Sequence, residues 1–334
     1  MNNINFSIQE LNYENRIGNL TNKASGVVKN NKFFPIYKID NKNYIFKPLS
    51  KTKPLTTPLF SYAEVIWSNI INTYFCEAPL YQLAKCIGYT NEEQKYYEYG
   101  CLVPNVLSEN EHLVNLLEYF KENRDKEVNI DDYINYCLLF YDYIPIFKSK
   151  LIKENSKLGN DLALQVLLSI LKGDQNFHYE NVAFICDKDN NILRLAPMID
   201  HEFSTMFLFL DKLIYNMIYF DKFIKDIKNK DSIIFNNINY ITKNYPNVVI
   251  QFKIGLEKLL QDINNLYLQD NGFLWECNTN NYKIGIARYK ENNEEKAKKL
   301  ENEILNNKLD LIDLNSIIVN EIKKTIETLL LVLN

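Results

Sequence analysis

The hydrophobic pattern of this chain changes its period near Pro104, and that change constrains the fold more than any other feature. Upstream, short runs such as FFPIYKI and YIFK are typical of strands, and the polar residues 40–43 separate them as a hairpin loop would. Downstream, apolar residues recur at spacings of three and four, which is typical of helices. The sequence therefore predicts an α+β fold with two lobes, a small strand-rich lobe over residues 1–104 and a larger, mainly helical lobe over residues 105–334.

The smaller lobe is predicted to contain one helix among its strands. This helix begins at Ser61 and stops before Pro79, and its apolar residues fall on one face. Two later strands are predicted around PLYQLAKCIGY and YYEYGCLV, the second of which is rich in aromatic residues. In the larger lobe, helices are predicted over residues 111–120, 131–143, 161–172 and 255–268, and as a charged pair from about residue 292 to the end.

Size and charge narrow the classes of function. A chain of 334 residues exceeds the size at which a single hydrophobic core keeps growing, so two lobes with a cleft between them are expected. Its 38 Lys and Arg residues against 42 Asp and Glu residues give a net charge of -4, which provides no basic footprint for a phosphate backbone. Nucleic acid is therefore not expected as a direct partner.

The cysteines and the apolar segments indicate the compartment. No CxxC pair occurs and the first residues are polar, which favours a cytoplasmic protein with reduced thiols. The apolar segments 162–171 and 203–210 are about half the length that spans a bilayer, so they are predicted core and no membrane partner is expected. Trp67 and Trp275 are also expected in the core, and His112 on the surface of a helix. The six cysteines are Cys76, Cys86, Cys101, Cys137, Cys186 and Cys277.

The segment LKGDQNFHYENVAFICDKDNNILRLAPMIDHEFS carries the most informative polar residues. An apolar helix is predicted to end at Gly173, and two short strands, VAFIC and ILRLA, flank a polar turn at residues 187–191. Because this hairpin returns the chain toward the polar loop, Asp174, Asn181 and Asp200 are expected to converge. Carboxylate and amide oxygens suit Mg²⁺, so Asn181 and Asp200 are predicted metal ligands. Asp174 would then accept a proton from an attacking hydroxyl.

These residues resemble the HipA-like bacterial kinases, which are relatives of the protein kinases and phosphatidylinositol kinases. HYEN places His178 and Asn181 in that family's D-x-H-x-x-N loop, and LAPMIDHEFS is similar to the segment around its metal-binding Asp, here Asp200. The resemblance assigns catalysis to Asp174, Asn176 and His178, but Asn176 stands where the family has its catalytic Asp. Two interpretations follow. In the preferred one the loop is reshaped and Asp174 is the base; in the other the base is missing and activity is weak or absent.

The upstream part of the chain agrees with this resemblance. ASGVVKNNKFFPIYKIDNKNYIFKP is similar to the family's short Ser-Gly phosphate loop and the strands after it, which assigns Ser25 and Gly26 to the phosphates. Lys47 occupies the place of the strand lysine that reaches the nucleotide phosphates, although spacing alone also fits a solvated lysine at a strand end. YEYGCLVPN resembles the connection between the lobes, which assigns the adenine to backbone groups of Gly100, Cys101, Leu102 and Val103.

Glu64 stands out because it falls inside an apolar stripe. On a helical wheel it lies between Ile71 and Phe75. A carboxylate on a buried face needs a cationic partner, and Lys47 is the candidate. A second interpretation is that Glu64 completes a capping box that begins at Ser61 and satisfies the start of the helix.

The resemblance implies a kinase that uses ATP and Mg²⁺ and transfers phosphate to Ser or Thr of a protein, often with autophosphorylation. Some relatives are toxins held by an antitoxin and some are delivered into host cells, and the sequence leaves both kinds of protein partner open. Three alternatives are a kinase-shaped nucleotide-binding scaffold, a small-molecule kinase and a metallohydrolase. The last would use Asp174, His178, Asp200, His201 and Glu202, which lack the second His of the HExxH motif.

Overall fold

The computed structural model describes residues 4, 6–20, 22–23, 26–27, 34–48, 57–89, 95–122, 140–174, 177–198, 213–266, 294–295, 298 and 311–334. Several residues singled out in the sequence lie outside these ranges. They are Ser25, Cys137, Asn176, Asp200, His201, Glu202, Trp275 and Cys277, together with the predicted core segment 203–210.

Six strands form the main sheet of the N-terminal part. In spatial order they are β1 (Gln9–Asn12), β7 (Gln82–Tyr89), β8 (Lys95–Pro104), β6 (Lys42–Pro48), β5 (Phe34–Ile39) and β2 (Gly18–Leu20). All neighbours are antiparallel except β1 and β7, which run parallel. A 3₁₀ turn, Tyr13–Asn15, follows β1, and two short strands, β3 (Asn22–Lys23) and β4 (Gly26–Val27), pair with each other. The predicted hairpin and the two predicted strands after the helix are confirmed.

The turn between β5 and β6 is tighter than the predicted four-residue loop. Ile39 pairs with Lys42, so only Asp40 and Asn41 lie between the strands. Both have positive φ angles, 48° and 62°. A two-residue turn of this kind matches the twist of the flanking strands, and Asp and Asn tolerate the left-handed backbone that it requires.

Helix α1 (Thr57–Tyr74) packs against β7 and β8. It begins before the predicted start at Ser61, because Pro58 is tolerated in the first turn, where its missing N–H has no helical partner. Trp67 is fully buried, as predicted. Since Ser61 lies inside the helix, the interpretation of Ser61 and Glu64 as a capping box is wrong.

The C-terminal part is mainly helical. Its helices are α2 (Leu116–Glu122), α3 (Ile144–Lys148), α4 (Lys150–Glu154), α5 (Ser156–Lys172), α6 (Leu213–Lys228), α7 (Ile233–Asn244), α8 (Pro246–Asp262) and α9 (Leu311–Leu333), with a 3₁₀ turn at Ile263–Asn265. Most side chains of α5 are buried, and this helix contacts α7, α8 and α9. The central helix of this part is therefore the one that leads directly into the predicted catalytic loop.

A second, three-stranded antiparallel sheet lies in the C-terminal part. In spatial order its strands are β11 (Ile192–Leu195), β10 (Ala183–Cys186) and β9 (His112–Asn115). The predicted hairpin of β10 and β11 is confirmed. Of the helix predicted over residues 111–120, residues 116–120 are confirmed as part of α2, but the predicted start is wrong. Residues 112–115 instead pair with β10, a partner so distant in sequence that local periodicity does not reveal it. His112 accordingly lies half-buried in a strand.

Two predicted helices begin earlier than expected. Helix α5 starts at Ser156 rather than at residue 161, because the side chain of Asn155 caps it by accepting from the Leu158 amide. Helix α8 starts at Pro246 rather than at residue 255, where proline fits the first turn.

Two other predicted helical regions are only partly described. Residues 140–143 are not helical, and the rest of the predicted helix 131–143 lies outside the described ranges. Of the charged pair at the C-terminus, the structure describes α9 and, from the other helix, residues 294–295 and 298. The α+β class is confirmed, with the strand-rich part first and the helical part second, whereas the two-lobed, kinase-like arrangement stays a prediction. The division at Pro104 stays a prediction.

Burial, helix length and the state of the cysteines can be compared with the sequence analysis in the described parts of the chain. Most of segment 162–171 is buried in the core, as predicted. No helix in the described parts of the chain combines the length and the apolar character needed to cross a membrane. The four cysteines within these parts, Cys76, Cys86, Cys101 and Cys186, are free thiols.

Gly100 on β8 provides a test of the sheet packing. A Cβ atom at this position would lie 2.1 Å from the carbonyl oxygen of Lys47, a backbone atom that β6 holds in place. We expect Gly100→Ala to lower the free energy of unfolding by about 2–3 kcal/mol, a typical cost of overpacking, as measured by urea denaturation. In the same sheet, Gly18 has nothing within 4 Å of its Cβ position, so Gly18→Ala should change stability by only about 0.5 kcal/mol. Equal losses in the two variants would contradict the steric explanation.

Candidate active site

An ion pair joins the main sheet to helix α1. Lys47 Nζ on β6 lies 2.6 Å from Glu64 Oε1, and the ion pair predicted from the sequence is confirmed. The side chain of Glu64 is 1% exposed and that of Lys47 is 20% exposed. The carboxylate is therefore enclosed, whereas the ammonium can still be approached from solvent.

This asymmetry defines what the pair can do. Lysine is a compact point charge that can reach a phosphate, and a buried carboxylate beside it restricts where the charge lies. The register fixes the strand as well, because Lys47 stands opposite Cys101 of the central strand β8. The pair therefore holds the Lys47 ammonium at a defined place beside the middle of the sheet.

The four residues predicted to bind adenine differ in how their backbone is paired within the sheet. Gly100, Cys101 and Leu102 have register partners on both β6 and β7, so their backbone groups belong to the sheet ladders. Val103 pairs with β6, but the pairing with β7 ends at Leu102. The open end of β8 thus begins after Leu102, and Val103 is the member of the set that lies there.

The phosphate-loop prediction rests on Ser25 and Gly26. Gly26 lies in β4 and pairs with Lys23 of β3, so the two strands bracket Ala24 and Ser25. Ser25 itself is outside the described residues.

The loop after α5 starts with a left-handed glycine, as predicted. Gly173 has φ 61° and ends the helix, and the amide of the next residue, Asp174, donates to the carbonyl of Ser169 at 2.9 Å. This reversal brings the Asp174 carboxylate to Lys172, whose Nζ lies 2.7 Å from Oδ2. The two side chains are 3% and 0% exposed, so the pair is closed on all sides.

The closed pair bears on the predicted role of Asp174. A general base must come within hydrogen-bond reach of the hydroxyl that it deprotonates. In this structure the Asp174 carboxylate faces Lys172 instead of solvent, and Tyr143 is a close neighbour. Burial, followed by the negative charge of Asp174, raises the pKa of Tyr143 well above its ordinary value. Asn176, the other predicted residue of this loop, lies outside the described ranges.

His178 and Asn181 lie in one tight turn. The amide of Asn181 donates to the carbonyl of His178 at 2.9 Å, and the amide of Glu180 donates to His178 Nδ1 at 3.2 Å. The imidazole also lies 5.9 Å from the ring of Tyr141, measured between centroids. His178 therefore shapes the turn that carries Asn181. Because Asp200 lies outside the described residues, the predicted convergence of Asp174, Asn181 and Asp200 stays a prediction.

Asn237 on α7 is a supporting residue that the sequence analysis missed. Its side chain donates to the carbonyl of Tyr141 at 2.8 Å and accepts from the amide of Tyr143 at 3.0 Å. Tyr143 Oη in turn donates to the carbonyl of Phe177, and Tyr179 Oη donates to the carbonyl of Asp142. The signal was present in the sequence, because this asparagine interrupts the apolar stripe of α7.

Gln165 is a second missed residue. It lies on the buried face of α5, and its Nε2 donates to the carbonyl of Ala196 at 2.7 Å. The amide of Ala196 donates to the carbonyl of Ala183, which extends the pairing of β10 and β11. The central helix thereby fixes the segment that leads toward Asp200.

Arg194 on β11 is the third missed residue. Its Nη1 and Nη2 bind Glu111 Oε1 and Oε2 at 2.6 and 2.9 Å, and Nη2 also lies 3.3 Å from the carbonyl oxygen of Val106. Hydrogen bonds from Arg194 and from the amide of Ser108 lower the pKa of Glu111 to about 2. An arginine inside the otherwise apolar run ILRL was the available signal.

The described residues provide no ready-made cation cluster. No group of three or more His, Cys, Asp or Glu side chains within them is arranged to hold a metal ion. Asp200, His201 and Glu202, which the metallohydrolase alternative requires, lie outside them.

Comparison with known proteins shows a similarity to a solved structure. No protein-family model and no curated protein matches the chain. Among solved structures, the chain is similar to CtkA, a proinflammatory kinase of Helicobacter pylori, with 14% sequence identity and a TM-score of 0.46. The match covers 82% of this chain and 94% of that chain. At this degree of similarity, function has to be argued from the side chains of the site.

The pair of Lys172 and Asp174 is expected to be strongly coupled. Lys172→Met leaves a buried carboxylate without its cation and should lower the free energy of unfolding by about 3–5 kcal/mol. Adding Asp174→Asn removes both charges, so the double variant should be more stable than the sum of the single losses predicts. Urea denaturation of all four proteins measures this coupling.

An exposed lysine supplies the control for that cycle. Lys150 and Glu154 form a pair at 3.9 Å with side chains 77% and 66% exposed, so Lys150→Met should change stability by about 0.5 kcal/mol or less. Additive losses at Lys172 and Asp174 would show that their charges do not interact.

Proposed function

We propose that the protein is an ATP- and Mg²⁺-dependent phosphotransferase, with a protein Ser/Thr kinase of the HipA-like kind as the preferred assignment. The single observation that carries this proposal is the ion pair of Lys47 and Glu64. It joins a strand lysine to a carboxylate on the helix that follows, which is the arrangement that kinases use to hold nucleotide phosphates.

The energetics of the pair favour a role in binding. Removing two charges from water costs several kcal/mol per ion, and apolar residues of similar volume often stabilise a core as well or better. A structural role alone would therefore be served by apolar side chains at both positions. A lysine that stays 20% exposed beside a buried glutamate is better suited to binding an anion.

The other predicted nucleotide contacts surround this lysine in the proposal. Ser25 and Gly26, at the junction of β3 and β4, would contact phosphate oxygens through backbone groups. Asn181 and Asp200 would hold Mg²⁺, a hard cation that favours oxygen ligands and completes its shell with phosphate oxygens and water. When bound, the ion would neutralise charge on the phosphates during transfer.

The acceptor and the partners follow only from the resemblance. The proposed acceptor is a Ser or Thr hydroxyl of a protein, including the chain itself, and a small-molecule hydroxyl is the alternative. An antitoxin or a host protein is proposed as a partner on the same basis. A cytoplasmic location is part of the same proposal.

A second candidate function is nucleotide binding without transfer. The observation that favours it is the closed pair of Lys172 and Asp174, because a carboxylate that is 3% exposed cannot reach an acceptor unless the pair opens. The sequence also favours this second function, because Asn176 stands where the catalytic base is usually found. Under the preferred function, Asp174 leaves Lys172 when the acceptor binds.

Nucleotide binding is tested by thermal denaturation. Millimolar Mg-ATP should raise the melting temperature, because a ligand that binds only the folded state stabilises it by mass action. Lys47→Ala should reduce this shift, whereas Lys38→Ala, an exposed lysine of the same hairpin, should leave it unchanged. If Mg-ATP has no effect on the unaltered protein, the proposed nucleotide site is wrong.

Phosphate transfer is tested with variants that keep the buried charges balanced. The combined variant Lys172→Met with Asp174→Asn should retain ATP binding and lose transfer by roughly 10²- to 10⁴-fold if Asp174 is the base. Autophosphorylation with labelled ATP, beside calorimetry of nucleotide binding, separates the two effects. Asp200→Asn should lower transfer by at least about 10²-fold as a metal-ligand control.

Asn176→Asp distinguishes the two candidate functions. A large gain of transfer in this variant, with no effect of the charge-balanced change at Asp174, would assign the natural chain to the nucleotide-binding class. A loss of transfer only in the Asp174 variant would support the preferred function.

A further inference from the structure

The segment between β8 and β9 is fastened to the hairpin of β10 and β11. It shares a small apolar cluster with the hairpin, in which Val106, Leu107 and Leu113 pack against Ala183, Ile185 and Ala196. The side chain of Asn105 accepts from the amide of Leu107, and the amide of Ser108 donates to Glu111. The connection out of the main sheet is therefore a shaped element held on the hairpin.

Arg194 provides the polar half of this attachment. Its two terminal nitrogens donate to both carboxylate oxygens of Glu111, and Nη2 also donates to the Val106 carbonyl at 3.3 Å. A planar guanidinium that makes these three contacts fixes orientation as well as distance. The Val106 carbonyl is therefore held by a side chain of β11, the strand that leads toward Asp200.

The backbone next to Val106 lies at the open end of β8. In an antiparallel ladder, successive residues face opposite neighbours. The amide of Asn105 donates to the carbonyl of Asn43 at 2.8 Å, so Asn105 faces β6 and the carbonyl of Pro104 faces the other side. On that side the pairing with β7 has already ended at Leu102.

Val106 supplies a matching donor. Its amide has no hydrogen-bond partner among the described residues, and the residue is half-buried. A carbonyl acceptor at Pro104 and an amide donor at Val106 are complementary to an amino group and a neighbouring ring nitrogen of a heterocyclic base. A ring in which these two groups are exchanged would meet an acceptor with an acceptor and a donor with a donor.

We propose that Arg194, through Glu111 and the Val106 carbonyl, is a positioning residue for the base of the bound nucleotide. The inference rests on the proposed function, because it presumes that a nucleotide occupies the cleft beside Lys47. Arg194 does not touch the nucleotide; it holds the Pro104 to Val106 backbone in the conformation that binds an aminopurine edge. Such preorganisation removes the ordering cost from binding.

A positioning role predicts more effect on affinity than on stability. The side chain of Arg194 is 38% exposed and that of Glu111 is 12% exposed, so losing this pair is expected to cost less stability than losing a fully buried pair. The loss of Arg194 would leave the apolar cluster intact but free the Val106 peptide to rotate. The base should then bind less tightly while the phosphates, which Lys47 contacts, are unaffected.

The experiment measures by calorimetry the affinity for adenosine, which represents the base end of the nucleotide, and for tripolyphosphate, which represents the phosphate end. Arg194→Ala should weaken adenosine binding about 10-fold and leave tripolyphosphate binding unchanged, whereas Lys47→Ala should do the reverse. Arg194→Lys, which lacks the fork but keeps the charge, should restore only part of the adenosine affinity. Lys324→Ala removes a pair outside the site, with Asp221 at 2.8 Å, and should leave the binding of both probes unaffected.

The outcomes separate this inference from the proposed function. If the unaltered chain binds neither probe, the nucleotide site itself is wrong, and the inference falls with it. If it binds both and Arg194→Ala retains full adenosine affinity, only the positioning role is overturned. An equal loss for adenosine and tripolyphosphate in Arg194→Ala would also overturn it, since that result indicates a general effect on the lobes.

Discussion

The burial of one carboxylate organises the N-terminal part of this protein. Glu64 is 1% exposed within α1, and an unpaired charge at that depth would destabilise the fold strongly. Lys47 has to meet it, which fixes the position of α1 relative to β6. The far end of α1 is also held, because Tyr74 donates to Asp262 of α8 at 2.8 Å and the ring of Phe75 lies where a Cβ on Gly255 would clash. The helix thus transmits the placement of the sheet to the helical part.

The two buried ion pairs are built alike but are open to different degrees. Each joins a lysine to a carboxylate at 2.6 or 2.7 Å. In the pair of Lys47 and Glu64 the lysine keeps contact with solvent, whereas in the pair of Lys172 and Asp174 neither side chain does. Under the proposed function, the lysine of the first pair would contact the phosphates. The second fixes the start of the loop that carries His178 and Asn181.

Sequence periodicity predicted those parts of the fold whose partners are near in the chain. The two hairpins, the presence of helix α5 and its end at Gly173 depend on local turns and caps and were predicted correctly, although α5 starts five residues earlier than predicted. The strand at residues 112–115 was missed, because its partner β10 is remote. The start of α1 was misplaced, since Pro58 looks like a helix breaker unless the first turn is known to contain it.

In the candidate site, too, some features could be predicted from the sequence and others could not. The pairing of Lys47 with Glu64 could be anticipated, because a charge inside an apolar stripe requires a partner. The burial of Asp174 could not, since the left-handed end at Gly173 was predicted but the burial of its partner Lys172 depends on how α5 packs against the other helices. The involvement of Gly100 to Leu102 in two ladders could not be anticipated either, because β7 is next to β8 in sequence but β6 is remote from it.

These contacts place the residues proposed to bind nucleotide and the residues proposed to transfer phosphate in two separate groups. The ion pair of Lys47 belongs to the sheet and α1, whereas the described loop residues are held by Asn237, Tyr143 and the end of α5. No described contact of the first group depends on Asp174. Under the proposed function, the nucleotide site around Lys47 would therefore not depend on the position of Asp174. Under the proposed function, phosphate transfer requires the pair between Asp174 and Lys172 to open, because the Asp174 side chain is only 3% exposed and a general base must come within hydrogen-bond reach of the acceptor.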